Sequence, residues 1–212
     1  MTKPVIIVGG GGHGRVLADI LRLQDTEVLG YTDPTPSGSG LELLGIRYLG
    51  DDGTIDGFSQ DQIKLVNAIG SVGNTDKRRA VFNCFKEKGY SFATLVHPSA
   101  IVSSDTLQSE GLQVMAGAVV QAGTTIEANV LINTRATVDH DCRIGAHSHI
   151  ASGAILSGGV TLGEGVHVGC GATIIQGIHV HGRTVIGAGA LVLQSVRVEC
   201  TVVGVPAKEV RK

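Results

Sequence analysis

Residues 130–150 read VLINTRATVDHDCRIGAHSHI, and within them Ile132, Val138, Ile144 and Ile150 fall six positions apart. Followed outward, the spacing holds without a miss. Val114, Val120 and Ile126 precede it, and Leu156, Leu162, Val168, Ile174, Val180, Ile186, Val192 and Val198 follow. An α-helix repeats every ~3.6 residues and a strand every second residue, so neither produces this period. A parallel β-helix of hexapeptide repeats does: a short strand lies on each flat side of a prism and the chain turns at each corner. The position four residues after each of these is mostly small: Ala118, Thr124, Val130, Ala136, Cys142, Ser148, Ala154, Val160, Val166, Ala172, Ile178, Thr184, Ala190 and Val196. A large side chain on the axis and a smaller one near the corner let successive layers pack closely. Three hexads close one turn of the prism, so the run predicts about five coils. The segment Val96–Gly111 reads as an irregular first coil, because Gln108 breaks the phase.

The 212 residues are 42% hydrophobic, ample for a core, and 17% charged, below the usual share. Few charges predict surface covered by other copies of the chain, hence an oligomer. The net charge is −2 and no basic stripe is present, which argues against nucleic acid as a partner. No long apolar span or secretory leader is visible, so no membrane association and a cytoplasmic location are expected. Cys84, Cys142, Cys170 and Cys200 form no C-x-x-C pair, which fits a reducing compartment. Cys142 occupies a small-residue hexad position and is expected to pack in the core.

Before the repeats lies a different pattern. Val5–Val8 is a β-branched run, followed by Gly9-Gly10-Gly11-Gly12-His13-Gly14 and the helical series Val16, Leu17, Ile20, Leu21. A second strand is expected at Glu27–Tyr31, a loop at Ser37–Gly40, a third parallel strand at Leu65–Ile69, a helix over Asp76–Gly89 and a final strand at Phe92–Val96. This describes a truncated Rossmann-like βαβ sheet. Gly9, Gly11 and Gly14 satisfy G-x-G-x-x-G, and Asp33 lies at the end of the second strand. The second half of a dinucleotide fold is missing, so NAD is not the expected ligand. Bare amides at a helix N-terminus still suit a phosphate, and a carboxylate after the second strand suits a nucleoside. The candidate contacts are Gly10, Gly11, Gly12, His13 and Asp33, with Gly73 and Arg78 after the third strand. Asn74 or Thr75 is placed to cap the second helix.

The densest polar cluster in the repeats is Asn133–Cys142. His140 falls two places after axial Val138, so it should face outward, with Asp139 and Asp141 on either side. A carboxylate on one ring nitrogen fixes the tautomer and leaves the other nitrogen free to take a proton, the arrangement of a general base. His149 follows nine residues later, half a coil away, so the two imidazoles should meet only across a boundary between subunits. No histidine pair has helical metal spacing and no cysteine joins them, so no metal is expected.

Over nearly its whole length the chain resembles the nucleotide-sugar acetyltransferases of the left-handed β-helix class. The matching motifs are Gly9–Gly14 with His13, Asp33, Gly73-Asn74 with Arg78, His97-Pro98-Ser99-Ala100, Asn133-Thr134, Val138–Cys142, Ser148-His149 and Gly204–Lys208. The group includes bacillosamine-pathway enzymes that acetylate the 4-amino group of a UDP-linked sugar, GDP-perosamine N-acetyltransferases and sialic acid O-acetyltransferases. The resemblance implies a nucleotide-sugar-binding α/β domain over 1–95 and a left-handed parallel β-helix acyltransferase domain with a short tail over 96–212. It implies acetyl-CoA as co-substrate, a nucleotide-sugar acceptor and a homotrimer with sites between subunits. It makes His140 the base, Asp141 or Asp139 its orienting acid, and Asn133 a residue shaping the site. His149 would hydrogen-bond the acetyl carbonyl, and Gly158, Cys170, Gly187 and Ala188 would line the pantetheine groove. The expected activity is N-acetylation of a UDP-linked 4-amino sugar. The alternatives are a GDP-linked amino sugar or a sialic acid hydroxyl.

Overall fold

A computed structural model describes residues 3–35 and 42–210; the expected loop at Ser37–Gly40 lies outside them. The first unit contains β1 (Val5–Val8), α1 (Gly12–Leu23), β2 (Val28–Thr32), β3 (Glu42–Leu43), β4 (Ile46–Gly50), β5 (Lys64–Asn67) and α2 (Asp76–Glu87). The sheet order is β3-β4-β2-β1-β5. β1 runs parallel to β2 and β5, β4 parallel to β2, and β3 antiparallel to β4. Both faces of β1 are buried, which is why it reads as an unbroken apolar run. Val5 and Ile7 pack with Leu17, Ala18 and Leu21 of α1, while Ile6 and Val8 pack with Phe82 and Phe85 of α2. The two helices therefore cover opposite faces. The chain leaves β1 on one side and β5 on the other, opening a crevice at the carboxyl ends of these two strands.

The second unit is a three-sided prism of two-residue strands recurring every six positions from Leu95–Val96 to Leu191–Val192, followed by Thr201–Val203. Its sides are parallel sheets of six, five and eight strands, the last including an antiparallel closing strand, Lys208–Glu209. Each residue pairs with its equivalent one coil on: Thr137 with Ile155, Arg143 with Thr161, His149 with His167. The axial side chains from Val114 to Val192 are buried. At ~1.5–3 kcal/mol for each fully buried aliphatic side chain, this column is the main source of the prism's stability. From Gly111 to Gly189 every sixth residue adopts positive φ at a corner, mostly glycine but also Asn129, Arg135, Asp141, His147 and Arg183. No helix among the described residues is long and apolar enough to cross a membrane.

Four sequence expectations change. Leu95–Val96 is not the last strand of the first sheet; it pairs with Gln113–Val114 and is the first strand of the prism. Only Phe92 bridges back to Leu65. The first coil is regular: Leu107–Gln108 pairs with Thr125–Ile126, and a polar residue is tolerated because both Leu107 and Gln108 are exposed at the open end. Val198 is not axial. The corner after Val192 is shortened, so Val196 bridges to Val180 and Val198 is left 58% exposed. β3 and β4 were not anticipated. β3 has only two residues, and β4 joins the sheet through a register shift.

Candidate active site

Helix α1 starts from Gly11 with no side-chain cap and no acidic residue in its first turn. Its leading amides and positive dipole end are therefore available to an anion. A Cβ on Gly11 or Gly12 would point into open space. Gly10 has a steric requirement instead, since a Cβ there would lie 2.5 Å from the Tyr31 ring. Its N–H donates to Asp33 Oδ2 at 2.8 Å, while Oδ1 accepts from Thr35 N at 2.9 Å. Asp33 thus braces the glycine turn from the end of β2. Across the crevice, residues 68–75 follow β5, with Gly73 at φ +78° and Val72 96% exposed. Thr75 is the N-cap residue of α2, but its hydroxyl donates to Gly165 O on the prism; Asn74 Oδ1 accepts from Asp76 N.

His13 turns from the glycine turn toward the prism. Gln113 Nε2 donates to Asn67 O, so its Oε1 accepts from His13 Nε2 at 2.9 Å. Burial, helped by the nearby Arg78 charge, pushes the His13 pKa down to about 4, so the ring is a neutral donor at physiological pH.

Arg78 does not reach the crevice. It is wholly buried between the two units. Nη1 donates to Asn67 O and Ile69 O at 2.9 and 3.2 Å, and Nε to Asn129 O at 3.4 Å. Nη2 has no partner, and burial lowers the guanidinium pKa to about 9. The expected substrate contact is a strut, because the first turn of α2 presents this side chain to the prism.

His140 sits at the corner after the strand Thr137–Val138, exposed as expected. Its Nδ1 lies 2.8 Å from Asp141 Oδ2. A carboxylate only accepts, so the proton is on Nδ1 and the Nε2 lone pair is free. Asp139 Oδ1 accepts instead from the His140 backbone N–H at 2.8 Å. The structure thereby separates the two acids: Asp141 orients the ring and Asp139 braces the backbone. Asp141 is at φ +59°, a conformation that Asp tolerates better than most residues. The Asp141 bond, then the Asp139 charge, raise the His140 pKa. Gly158, one coil on, is the seat of the ring, for its Cβ would lie 2.6 Å from Cε1 and Nε2. The open groove here, about 580 Å³, is lined by Asp139, His140, Asp141, Ser157, Gly158 and Gln176.

His149 lies on a different face, under the first unit. It is buried between Ser71 Oγ, 2.6 Å from Nδ1, and Asn133 Nδ2, 3.2 Å from Nε2. Burial, then the neighbouring His167, take its pKa down to about 3. Asn133 therefore serves His149 and not His140. Ser71 carries no sequence signal; only the fold of the loop after β5 brings it here. Cys170 and Ala188 are exposed and stacked at one corner, where Gly189 N donates to Cys170 O at 2.8 Å. Gly187 backs that corner against Val203, whereas Gly158 belongs to the His140 corner, one prism face away. Cys142 is buried, with Sγ near Ser157 O and its thiol pKa pushed up to about 11, so it is packing material and no nucleophile. Among the described residues no group of three or more His, Cys, Asp and Glu side chains is arranged to hold a metal ion.

A parallel β-helix with an acid-anchored histidine at a corner, joined to a nucleotide-type crevice, defines the acyltransferases of the hexapeptide-repeat class. Residues 4–85 match the family described as the PglD N-terminal domain, and residues 123–158 match the bacterial transferase hexapeptide (six repeats). The acetyltransferase domain of PglB from Neisseria gonorrhoeae superposes with a TM-score of 0.91 at 34% identity, covering 99% of this chain and 100% of that one. A histidine-to-asparagine mutant of perosamine N-acetyltransferase from Caulobacter crescentus, solved with CoA and GDP-perosamine, gives 0.90 at 34% identity over 100% and 99%. UDP-N-acetylbacillosamine N-acetyltransferase of Bacillus subtilis is 36% identical over 118 residues, 54% of this chain and 52% of the relative. That match spans about half the length of the curated relative. The chain belongs to the nucleotide-sugar N-acetyltransferase family of left-handed β-helix enzymes.

Proposed function

We propose that this protein transfers the acetyl group of acetyl-CoA directly to the 4-amino group of a nucleotide-linked sugar, UDP-linked by preference. The observation that carries the reading is the exposed His140, held through Nδ1 by Asp141 with Nε2 free. The neutral amine attacks the thioester carbonyl carbon, forming the C–N bond. His140 Nε2 takes the proton that the amine loses. The tetrahedral species collapses with cleavage of the C–S bond, and the departing thiolate takes that proton back from the imidazolium. The oxyanion is stabilised by His149 and backbone amides. The amides of Gly11 and Gly12 and the α1 dipole hold the diphosphate, with Gly10 fixed by Asp33 beneath them and His13, Asp33 and Gly73 around the nucleoside. Cys170, Gly187 and Ala188 flank the pantetheine on one side of the groove and Gly158 on the other.

His140 and His149 occupy different faces of one prism, so the site is completed by a neighbouring copy in a trimer. The exposed Ile101 and Ile155 on the face beside His140 support burial there. The four cysteines are free, in keeping with a reducing cytoplasm. A second reading, a GDP-linked 4-amino sugar, is favoured by the full-length likeness to the perosamine enzyme. The test is incubation with acetyl-CoA and UDP- or GDP-linked 4-amino sugars, with the product identified by NMR. An acetamido group at C4 is expected; O-acetylation of free sialic acid alone would overturn the reading. A trimer by light scattering is expected, and an active monomer would refute the shared site.

A further inference from the structure

The ring nitrogens of His149 are both engaged, and their partners fix its tautomer. Asn133 Oδ1 accepts from Thr134 N at 2.7 Å and from Thr134 Oγ1 at 3.3 Å, which turns Nδ2 toward His149 Nε2. A nitrogen facing an NH₂ donor must accept, so the proton lies on Nδ1 and donates to Ser71 Oγ. In this state His149 has no N–H left for a carbonyl oxygen. The proposed function requires one on Nε2.

We propose that Ser71 is a positioning residue that lets His149 change tautomer when the acyl donor binds and links it to the nucleotide crevice. The inference rests on the reading of His149 as the group that binds the acetyl carbonyl. A hydroxyl both accepts and donates, so Ser71 can serve either tautomer, whereas a carbonyl or a carboxylate would lock Nδ1–H. When a carbonyl oxygen approaches Nε2, the Asn133 amide gives way. One proton leaves Nδ1 to water, one is taken up at Nε2 from water, and Ser71 O–H rotates to donate to Nδ1. The net charge is unchanged, as it must be for a ring whose burial so strongly disfavours the imidazolium.

Ser71 is also well placed to register the other substrate. Its loop packs directly on the glycine turn: a Cβ on Gly9 would lie 3.0 Å from Ile69 Cδ1, and one on Gly70 3.6 Å from His13 Cβ. A nucleotide held on that turn would therefore press on residues that pack directly against the segment carrying Ser71. The loop joins the acceptor crevice to the acyl-binding face through one hydroxyl.

The test is a long-range ¹H–¹⁵N spectrum of histidine-labelled protein, with and without acetyl-CoA, in the wild type, Ser71→Ala and Ser71→Thr. The wild type is expected to show His149 protonated on Nδ1 when free and on Nε2 when loaded. Ser71→Ala should lose the change and about tenfold in kcat, the worth of one hydrogen bond; Ser71→Thr should restore both. Wild-type turnover with an unchanged tautomer response in Ser71→Ala overturns the proposal. A parallel His149→Ala separates the two levels. If His149→Ala is impaired while Ser71→Ala is normal, only the Ser71 role fails. If His149→Ala retains kcat and the KM for acetyl-CoA, the reading of His149 fails first.

Discussion

Replacing Gly158 by Ala adds one methyl group beneath the proposed base. The new Cβ would lie 2.6 Å from both Cε1 and Nε2 of His140 and 3.2 Å from Cδ2. Carbon contacts settle at ~3.5–4.0 Å, so the ring must move by about 1 Å. It is free to do so, since the His140 side chain is 63% exposed. The movement pulls Nδ1 away from Asp141 Oδ2, now at 2.8 Å, and carries Nε2 off its line. Displacement of a catalytic group by about 1 Å costs roughly 10² in rate. The fold should not suffer, because Gly158 is outside the positive-φ corner positions and its Cβ meets no other neighbour so closely. The expected result is a kcat for thiol release about a hundredfold lower, an unchanged Tm, and a His140 pKa moved back toward the ordinary imidazole value in an NMR titration. A folded Gly158→Ala protein with wild-type kcat would refute the idea that the ring position set by this glycine matters to the chemistry.

Asp141→Asn removes the principal cause of the raised His140 pKa. A base works when deprotonated, so kcat/KM rises with pH through that pKa. The acidic limb of the profile should move to lower pH in the variant while the maximal rate falls; an unmoved limb would assign it to another group. Arg78→Met deprives the carbonyls of Ile69 and Asn129 of their side-chain donor and leaves Asn67 O with Gln113 alone. The net loss should be about 3 kcal/mol, a fall in Tm of roughly 10 °C by thermal denaturation. The pKa values of His13 and His149, about 4 and about 3, lie below the unfolded value of 6.5, so the unfolded chain binds more protons in acid. Above pH 6.5 neither histidine contributes to the pH dependence; as pH falls below it toward those values, stability is lost by up to about 1.4 kcal/mol per unit for each. Denaturant titrations between pH 7 and about 4.5 should show that slope, and His13→Gln should reduce it.

The prism was legible because its code is local. Each axial residue is read from its spacing, and the burial of Val114 through Val192 follows from it directly. Outward-facing His140 and buried Cys142 follow from the same count. The count fails where a corner is shortened, because the deletion before Val196 shifts the phase while leaving an aliphatic residue at 198. The glycine turn and Asp33 were legible as a strand-turn-helix pattern. Which acid serves His140 was not, for both flank it; the left-handed corner decides in favour of Asp141. Arg78 was misread because a position in the first turn of a helix does not say which neighbour that turn faces. The Ser71–His149–Asn133 chain joins residues 78 and 16 positions apart. It exists only because the first unit sits on one face of the prism, and nothing in the local sequence encodes that.

The central claim is tested most directly by thiol release from acetyl-CoA with UDP- and GDP-linked 4-amino sugars, for the wild type and His140→Ala side by side. The account predicts release with a nucleotide-linked 4-amino sugar and a fall in turnover of about 10²–10⁴ in the variant. Equal turnover in the two proteins, or release with free sialic acid and with no nucleotide sugar, would contradict it.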